Sequence, residues 1–307
     1  MNNLGLYLAS VLIWGSTWLA ITFQLVRVPA EVSVAYRFAL ASAILFAWCG
    51  LKRLRLRYSW REHGGFALQG ALLFGLNYVL VYLAEEQISS GLVALIFSLM
   101  VFTNIAFARL FFGTPIRRAT LVGALLGFGG VVLVLLPELG HETGRGNTVV
   151  GAVFAIVSTV SASLGNIAAA RNQHRGLPVI QANAFGMLYG AGLVGFYALV
   201  RGRPLVFEAT PAYVGSLIYL ALFGSVIAFG AYLTLVGRIG AARAGYISAA
   251  VPIVAIMLST AFEGLRWHAT TFSGVALSVA GTVLVLRGKT AAAKPAAITA
   301  PAAASSE

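Results

Sequence analysis

The chain has 307 residues, of which 59% are hydrophobic and only 10% are charged, and its mean hydropathy is +0.88. A water-soluble domain carries about a quarter charged residues, so this composition excludes a soluble protein and predicts an integral membrane protein. The formal net charge of +12 does not indicate a nucleic-acid-binding protein, because the basic residues form no continuous stripe and lie between apolar stretches.

Ten apolar segments are long enough to cross the ~30 Å hydrocarbon layer of a bilayer, which takes about 20 residues of helix. The predicted fold class is therefore all-α, a polytopic membrane protein with ten transmembrane helices. The Ala- and Pro-rich segment 289–307 has the composition of a disordered tail. In chain order the ten predicted spans are 4–26, 31–50, 64–84, 91–111, 119–137, 149–170, 178–200, 212–235, 243–262 and 268–287.

The connections between these spans alternate in charge. One set of alternate connections, together with the tail, contains fifteen Lys and Arg residues, whereas the other set contains five. Excess Lys and Arg mark the cytoplasmic side of a membrane. Both termini are therefore predicted to lie in the cytoplasm.

The sequence also repeats itself at an offset of 151 residues. The segment GFGGVVLVLL at 127–136 matches SVAGTVLVLR at 278–287. Because five helices is an odd number, the second copy enters the membrane from the opposite side, which predicts an inverted-topology repeat of 1–145 and 146–288 around a central substrate site. Further pairs at this offset are Ile88 with Ile239, Gly113 with Gly264, and Gly123 with Gly274.

Three stretches resemble the drug/metabolite transporter superfamily, specifically its EamA-type ten-helix exporters. The first helix reads LIWGSTWLAI (12–21), the second reads VAYRFALASAILF (34–46), and the last two contain the proline, glutamate and Gly-x-x-L-x-x-x-G sequence of the family (247–286). The likeness covers nearly the whole chain to residue 288 and is greatest to the YddG-type amino-acid exporters. It implies export of a small molecule by alternating access, with the chain expected in a bacterial inner (plasma) membrane.

The first half departs from the family pattern at two positions. Val101 stands where Pro252 would align, and Phe112 stands where Glu263 would align. Any role that the resemblance implies for the proline or the glutamate is therefore unsupported in the first half.

Polar and aromatic side chains at helical spacing are candidates to line a substrate cavity. On the third helix, Tyr78, Tyr82 and Glu85 share one face; the alternative for Tyr82 is a place in the aromatic belt of the membrane interface. Trp14 has two open interpretations, as a substrate platform or as simple packing. The predicted substrate-binding residues are Trp14, Asn77, Tyr78, Tyr82, Ser98, Phe102, Ser158, Phe229, Tyr232, Tyr246 and Ser248.

Arg37 is the one ionisable side chain well inside a predicted span, about 9 Å from its outer end by helical rise. Because arginine is costly there, it indicates a functional position, either in gating and structural support or in direct substrate contact. Pro252 is expected to bend the ninth helix. The predicted gating or structural residues are Trp18, Arg37, Asn166 and Pro252.

Several residue types that carry chemistry are missing from the predicted spans. The chain contains no aspartate, its four histidines fall in loops or at helix ends, and no glutamate lies deep in a span. Proton-coupled pumps generally use such groups, so transport is predicted to follow the substrate gradient without obligatory proton coupling. No nucleophile–base pair, metal-ligand cluster or phosphate-binding loop is present, so the sequence predicts neither an enzyme nor a cofactor nor a metal site.

The sequence thus predicts a transporter that exports small amphipathic metabolites, in particular neutral or aromatic amino acids. One alternative is export of cationic drugs such as quaternary amines, and an alternative of another class is a membrane-embedded lipid-modifying enzyme. The expected partners are a small-molecule substrate and the lipid bilayer, with no nucleic acid. The expected state is a monomer, with a dimer as the alternative.

Overall fold

The computed structural model describes residues 2–137, 146–239 and 246–290, and within these ranges all regular elements are helical. Ten helices correspond to the ten predicted spans, so the all-α fold class is confirmed. Nine of the helices in the described part are long and apolar enough to cross a membrane, and α9 is a shorter apolar helix. The helices are α1 (Asn3–Thr22), α2 (Ala30–Leu51), α3 (Trp60–Glu85), α4 (Ser90–Phe112), α5 (Arg118–Leu135), α6 (Thr148–His174), α7 (Val179–Val200), α8 (211–239), α9 (Ile247–Glu263) and α10 (Ala269–Thr290).

The helix ends differ from the predicted ends by a few residues, and capping explains the clearest case. Helix α3 begins at Trp60, four residues before its predicted start, because Ser59 and Glu62 form a capping box. Helix α10 continues to Thr290, through the first two residues of the predicted tail. The rest of that tail, and residues 243–245 of the predicted ninth span, lie outside the described residues.

Helices α4 and α9 end in the same way at equivalent positions of the repeat. Gly113 follows α4 with a φ of 70°, and Gly264 follows α9 with a φ of 75°. Glycine adopts this left-handed conformation without steric cost, which makes it the usual residue after the end of a helix. The two positions are separated by the offset of 151 residues.

Two helices contain a π-helical stretch that the sequence did not predict. The stretch in α3 is Gly70–Leu76, and the stretch in α8 is Tyr219–Ile227. Shifting the first by 151 residues places it at 221–227, inside the second. A π-helical turn leaves backbone carbonyl groups outside the regular ladder and is frequent at functional sites.

Helices α5 and α10 pack closely along their small residues. A Cβ atom at Gly123 would collide with the backbone carbonyl of Gly281, and a Cβ atom at Gly130 would collide with that of Gly274. A Cβ atom at Gly281 or Gly274 would likewise collide with the backbone carbonyl of Gly123 or Gly130. Each helix therefore needs its two glycines for the same close contact. The small-residue spacing therefore serves helix packing within the chain.

The remaining helices pack in matching pairs across the two halves. Helices α2 and α7 lie against each other, as α5 and α10 do. Helix α1 packs against α8 and α9, and its equivalent α6 packs against α3 and α4. The largest cluster of buried apolar side chains lies among these helices and positions the polar groups described below.

Candidate functional site

The side chain of Arg37 on α2 is only 2% exposed. Its guanidinium carbon lies 4.6 Å from the ring centroid of Tyr78 and 5.2 Å from that of Phe38. The Nε and Nη1 atoms of Arg37 have no hydrogen-bond acceptor among the described residues. The structure thus brings together Arg37 and Tyr78, one candidate gating residue and one candidate substrate residue.

Tyr82 lies one turn beyond Tyr78 and is fully buried, so its place is in the protein interior and not in an interfacial aromatic belt. Its hydroxyl donates a hydrogen bond to Gln24 Oε1 at 2.6 Å, while Gln24 Nε2 is buried and has no acceptor in the described part of the chain. Arg37 and Glu85 both interact electrostatically with Tyr82. Gln24 was not predicted, because a single glutamine in the turn after α1 shows no pattern.

Three predicted substrate residues form an aromatic cluster between α1 and α8. The ring centroid of Trp14 lies 5.2 Å from that of Phe229 and 5.4 Å from that of Tyr232. The indole Nε1 of Trp14 donates a hydrogen bond to the carbonyl of Gly224 at 3.2 Å. Aromatic rings at these separations attract one another and present faces that favour cations. We call Trp14, Phe229 and Tyr232 the aromatic cluster.

Gly224 connects the aromatic cluster with Arg37. It lies in the π-helical stretch of α8, and its carbonyl is bound by Trp14. A Cβ atom at this position would lie 2.8 Å from Thr17 Cγ2 and 3.6 Å from Arg37 Nη2. A glycine therefore allows the Thr17 side chain of α1 to pack against α8 without a shift, next to Arg37.

The π-helical stretch of α3 is held in a related way. The hydroxyl of Ser161 on α6 donates a hydrogen bond to the carbonyl of Leu72 at 2.8 Å. Within α3, Asn77 Nδ2 donates to the carbonyl of Leu73 at 3.0 Å, as Ser225 Oγ donates to the carbonyl of Leu220 in α8. In each half, a side chain from the first helix of the opposite half binds a carbonyl of the π-helical stretch.

Asn166 belongs to a polar contact between α6 and α4. Its Nδ2 lies 3.3 Å from Asn104 Oδ1 and 3.5 Å from Met100 Sδ, and Ser163 Oγ donates to the same Asn104 oxygen at 2.7 Å. The polar spacing on α6 indicated Asn166. Asn104 was missed because it is a lone amide among apolar residues.

Other candidates lie in different surroundings. Ser98 Oγ lies 3.4 Å from Ser278 Oγ on α10, and the ring of Phe102 packs where Gly127 of α5 has no side chain, so both face the α5–α10 pair. Ser158 is buried and bonds to the carbonyl of Ala155 in its own helix. Of the remaining candidates, Trp18 contacts the ring of Phe97. The backbone carbonyl of Tyr246 accepts a hydrogen bond from the hydroxyl of Tyr7. Ser248 is half-buried in the first turn of α9, and Pro252 is buried inside the same helix.

Helices α4 and α9 are joined at one end. The backbone N–H of Ser90 donates to both carboxylate oxygens of Glu263 at 3.2 Å, and the Ser90 hydroxyl donates to the same carboxylate. A carboxylate at the start of a helix is favoured by the helix dipole. Next to this contact, Gly91 packs directly against Ser259 and Ile256 of α9.

The described residues form a bundle of ten apolar helices that encloses polar and aromatic side chains, which is the architecture of a multi-pass membrane protein. The profile of the EamA-like transporter family matches residues 3–136 and 149–287. The chain belongs to this family, within the drug/metabolite transporter superfamily, and it acts on a small-molecule substrate in a lipid bilayer.

Curated relatives have similar length and transporter names. The Escherichia coli K12 protein named "uncharacterized inner membrane transporter YedA" is 30% identical over 289 residues, which cover 93% of this chain and 90% of the relative. An "uncharacterized transporter" of Archaeoglobus fulgidus is 23% identical, covering 91% of this chain and 96% of the relative. One protein crystal structure matches with a TM-score of 0.67 at 20% identity, covering 94% of this chain and 98% of that chain, and this likeness supports the fold alone.

Proposed function

We propose that this transporter exports small amphipathic metabolites, in particular neutral or aromatic amino acids, from the cytoplasm. The observation that carries the proposal is the aromatic cluster of Trp14, Phe229 and Tyr232. Gly224 contacts Trp14 of this cluster and lies next to the buried guanidinium of Arg37. Aromatic faces attract a substrate ammonium group by about 0.5–2 kcal/mol, and binding of that strength permits release. An amino acid supplies both an ammonium group and an apolar side chain to such a cluster.

Alternating access in this proposal depends on two oppositely inserted halves, 1–145 and 146–288. Three features support it: the equivalent π-helical stretches of α3 and α8, the matching glycines after α4 and α9, and the packing of α1 on α8 and α9 like that of α6 on α3 and α4. An inverted repeat places the substrate site at the interface of the halves, which rock against each other.

The chain is proposed to lie in a bacterial inner membrane with both termini in the cytoplasm. The excess of Lys and Arg in alternate connections supports this orientation, and the relative YedA is named an inner membrane transporter. Cysteines placed at the two termini are expected to resist a membrane-impermeant maleimide in intact cells and to react after lysis. Labelling of one terminus but not the other in intact cells would contradict the inverted repeat.

In this orientation the Ser90–Glu263 contact lies at the outer face and closes the outer ends of α4 and α9. Transport is proposed to follow the substrate gradient, because the glutamates and histidines of the described spans lie near the span ends and no aspartate is present in the sequence. We expect counterflow to proceed equally with and without an imposed pH gradient. Strict dependence on that gradient would contradict this part of the proposal.

The substrate class is tested by counterflow with the purified protein in proteoliposomes. Vesicles loaded with unlabelled phenylalanine, methionine or threonine are expected to accumulate the labelled amino acid, and Trp14→Ala is expected to reduce this accumulation strongly. Trp60→Ala is the matched control, because Trp60 is 91% exposed at the start of α3. Counterflow of a quaternary amine without any amino-acid counterflow would favour the cationic-drug alternative.

A further inference from the structure

The guanidinium of Arg37 is a buried charge whose hydrogen-bonding capacity is largely unused. Its Nε and Nη1 atoms have no acceptor among the described residues, although the side chain is 98% covered by protein. A buried charge is costly unless it is paired and hydrogen-bonded, and inside a membrane span the cost indicates function. A ligand that carried negative charge and acceptor oxygens would satisfy these two nitrogen atoms.

A second donor without an acceptor lies in the same cluster. Gln24 Nε2 is buried and has no acceptor in the described part of the chain, and Gln24 is joined to Tyr82 through its Oε1 atom. Arg37 also interacts with Tyr82. Arg37 on α2 and Gln24 in the turn after α1 therefore both have N–H donors without an acceptor among the described residues near the Tyr82 hydroxyl.

Arg37 places these unpaired N–H donors next to the proposed substrate path. The Tyr78 ring lies 4.6 Å from the guanidinium carbon and fixes one face of the group. On another side lies Gly224, whose carbonyl binds Trp14 of the aromatic cluster. A substrate whose ammonium group and side chain contact the aromatic cluster has its carboxylate end directed towards Arg37.

We infer that Arg37 is the residue that binds the substrate carboxylate, with Gln24 as a second donor. The inference rests on the proposed function and deepens it, because it restricts the substrates to molecules that carry a carboxylate. A guanidinium binds a carboxylate with two parallel hydrogen bonds, and such charge-assisted bonds are about twice as strong as neutral ones. Quaternary amines lack the group that this site recognises.

The experiment compares phenylalanine with phenylalaninamide, which keeps the amine and the ring but lacks the carboxylate. Both are tested as unlabelled competitors of labelled phenylalanine counterflow in proteoliposomes. The wild-type protein is expected to prefer phenylalanine by at least about tenfold, the size of effect typical of hydrogen bonds to charged groups. Arg37→Gln is expected to lose this preference, and Arg203→Gln, which changes a half-exposed arginine bound to Glu31, is expected to keep it.

Each further outcome is decisive. If the wild-type protein transports no amino acid, the proposed function fails and this inference fails with it. If the wild-type protein transports phenylalanine but does not distinguish phenylalaninamide, or if Arg37→Gln keeps the preference, this inference alone fails. If Arg37→Gln is not monodisperse, Arg37→Lys decides, because it is expected to weaken phenylalanine binding several-fold without weakening phenylalaninamide; an equal effect on both overturns the inference.

A purely structural role for Arg37 predicts a different result at Glu85, the acidic residue of the same α3 face. If Arg37 served only to hold Glu85, then Glu85→Gln would abolish the preference for phenylalanine as Arg37→Gln does. The carboxylate-binding role predicts that Glu85→Gln retains the preference, whatever its effect on the rate. Loss of the preference in Glu85→Gln would overturn the inference.

Discussion

The carboxylate of Glu263, the last residue of α9, binds the backbone N–H of Ser90, the first residue of α4, at 3.2 Å. The repeat places Phe112 where the first half would need the equivalent acid. The described contact is therefore specific to one end of the α4–α9 pair, which is the outer end in the proposed orientation. An exporter needs this end to open and close in each cycle.

Packing between α5 and α10 predicts opposite effects at two adjacent glycines. A Cβ atom at Gly130 would collide with the backbone of α10, whereas a Cβ atom at Gly129 meets open space. We expect Gly130→Ala to destabilise the protein by about 1–3 kcal/mol, the usual cost of overpacking. Gly129→Ala is expected to leave the melting temperature unchanged or to raise it slightly, since alanine favours helix. Thermal unfolding in detergent measures both, and equal melting temperatures would contradict the packing role.

Two glycines of α8, Gly224 and Gly230, allow a similar comparison, in which the measurement is amino-acid counterflow. Gly224→Ala forces a Cβ atom against Thr17 beside Arg37, whereas a Cβ atom at Gly230 has no neighbour among the described atoms. We expect Gly224→Ala to lower amino-acid counterflow at least several-fold, because the geometry around Trp14 and Arg37 shifts, and Gly230→Ala to retain it. If Gly224→Ala shows the same counterflow as the wild type at equal protein content, the π-helical stretch of α8 does not form part of the transport path.

Glu86, just after α3, gives a prediction for the pH dependence of stability. Partial burial and the negative charge of Glu31 raise the pKa of Glu86 above its ordinary value of 4.5, and Arg203 opposes the shift. A carboxyl group with a raised pKa in the folded state stabilises the fold below its ordinary pKa and loses that contribution as the pH rises through the raised pKa.

Glu86→Gln removes this titration. The variant is expected to gain stability relative to the wild type as the pH increases from about 4 to 7, a window set by the upward shift of the Glu86 pKa. Melting temperatures of both proteins in detergent across this range provide the measurement. A constant difference between the two proteins, or one that shrinks with rising pH, would show that Glu86 has no raised pKa.

The number and type of the helices could be predicted from the sequence because a transmembrane helix requires about 20 apolar residues in a row. Their ends could be predicted less well, as the capping box at Ser59 and Glu62 shows for α3. The sequence showed no signal for the π-helical stretches, whose carbonyl groups bind side chains of other helices, as Trp14 binds the Gly224 carbonyl. Such contacts join residues far apart in the sequence.

Helical spacing identified faces of the candidate site but not the partners of each face. It predicted that Tyr78 and Tyr82 share a face, and the structure places Arg37 beside Tyr78 and Gln24 beside Tyr82. Ser98 and Phe102, chosen by the same reasoning, face α10 and α5. Spacing on one helix cannot show which of several neighbouring helices a face meets, so a polar face at a scaffold contact is indistinguishable from one at a substrate path.

Crosslinking of α4 to α9 tests the alternating-access mechanism most directly. The substitutions Ser90→Cys and Glu263→Cys are combined with Cys49→Ala, which removes the single native cysteine of the sequence. A short, reducible bifunctional thiol reagent then joins the two helices at the contact, and Glu263→Cys alone serves as the control for reagent effects. We predict that crosslinking abolishes amino-acid counterflow and that reduction restores it, whereas full counterflow by crosslinked protein would contradict opening of this end during transport.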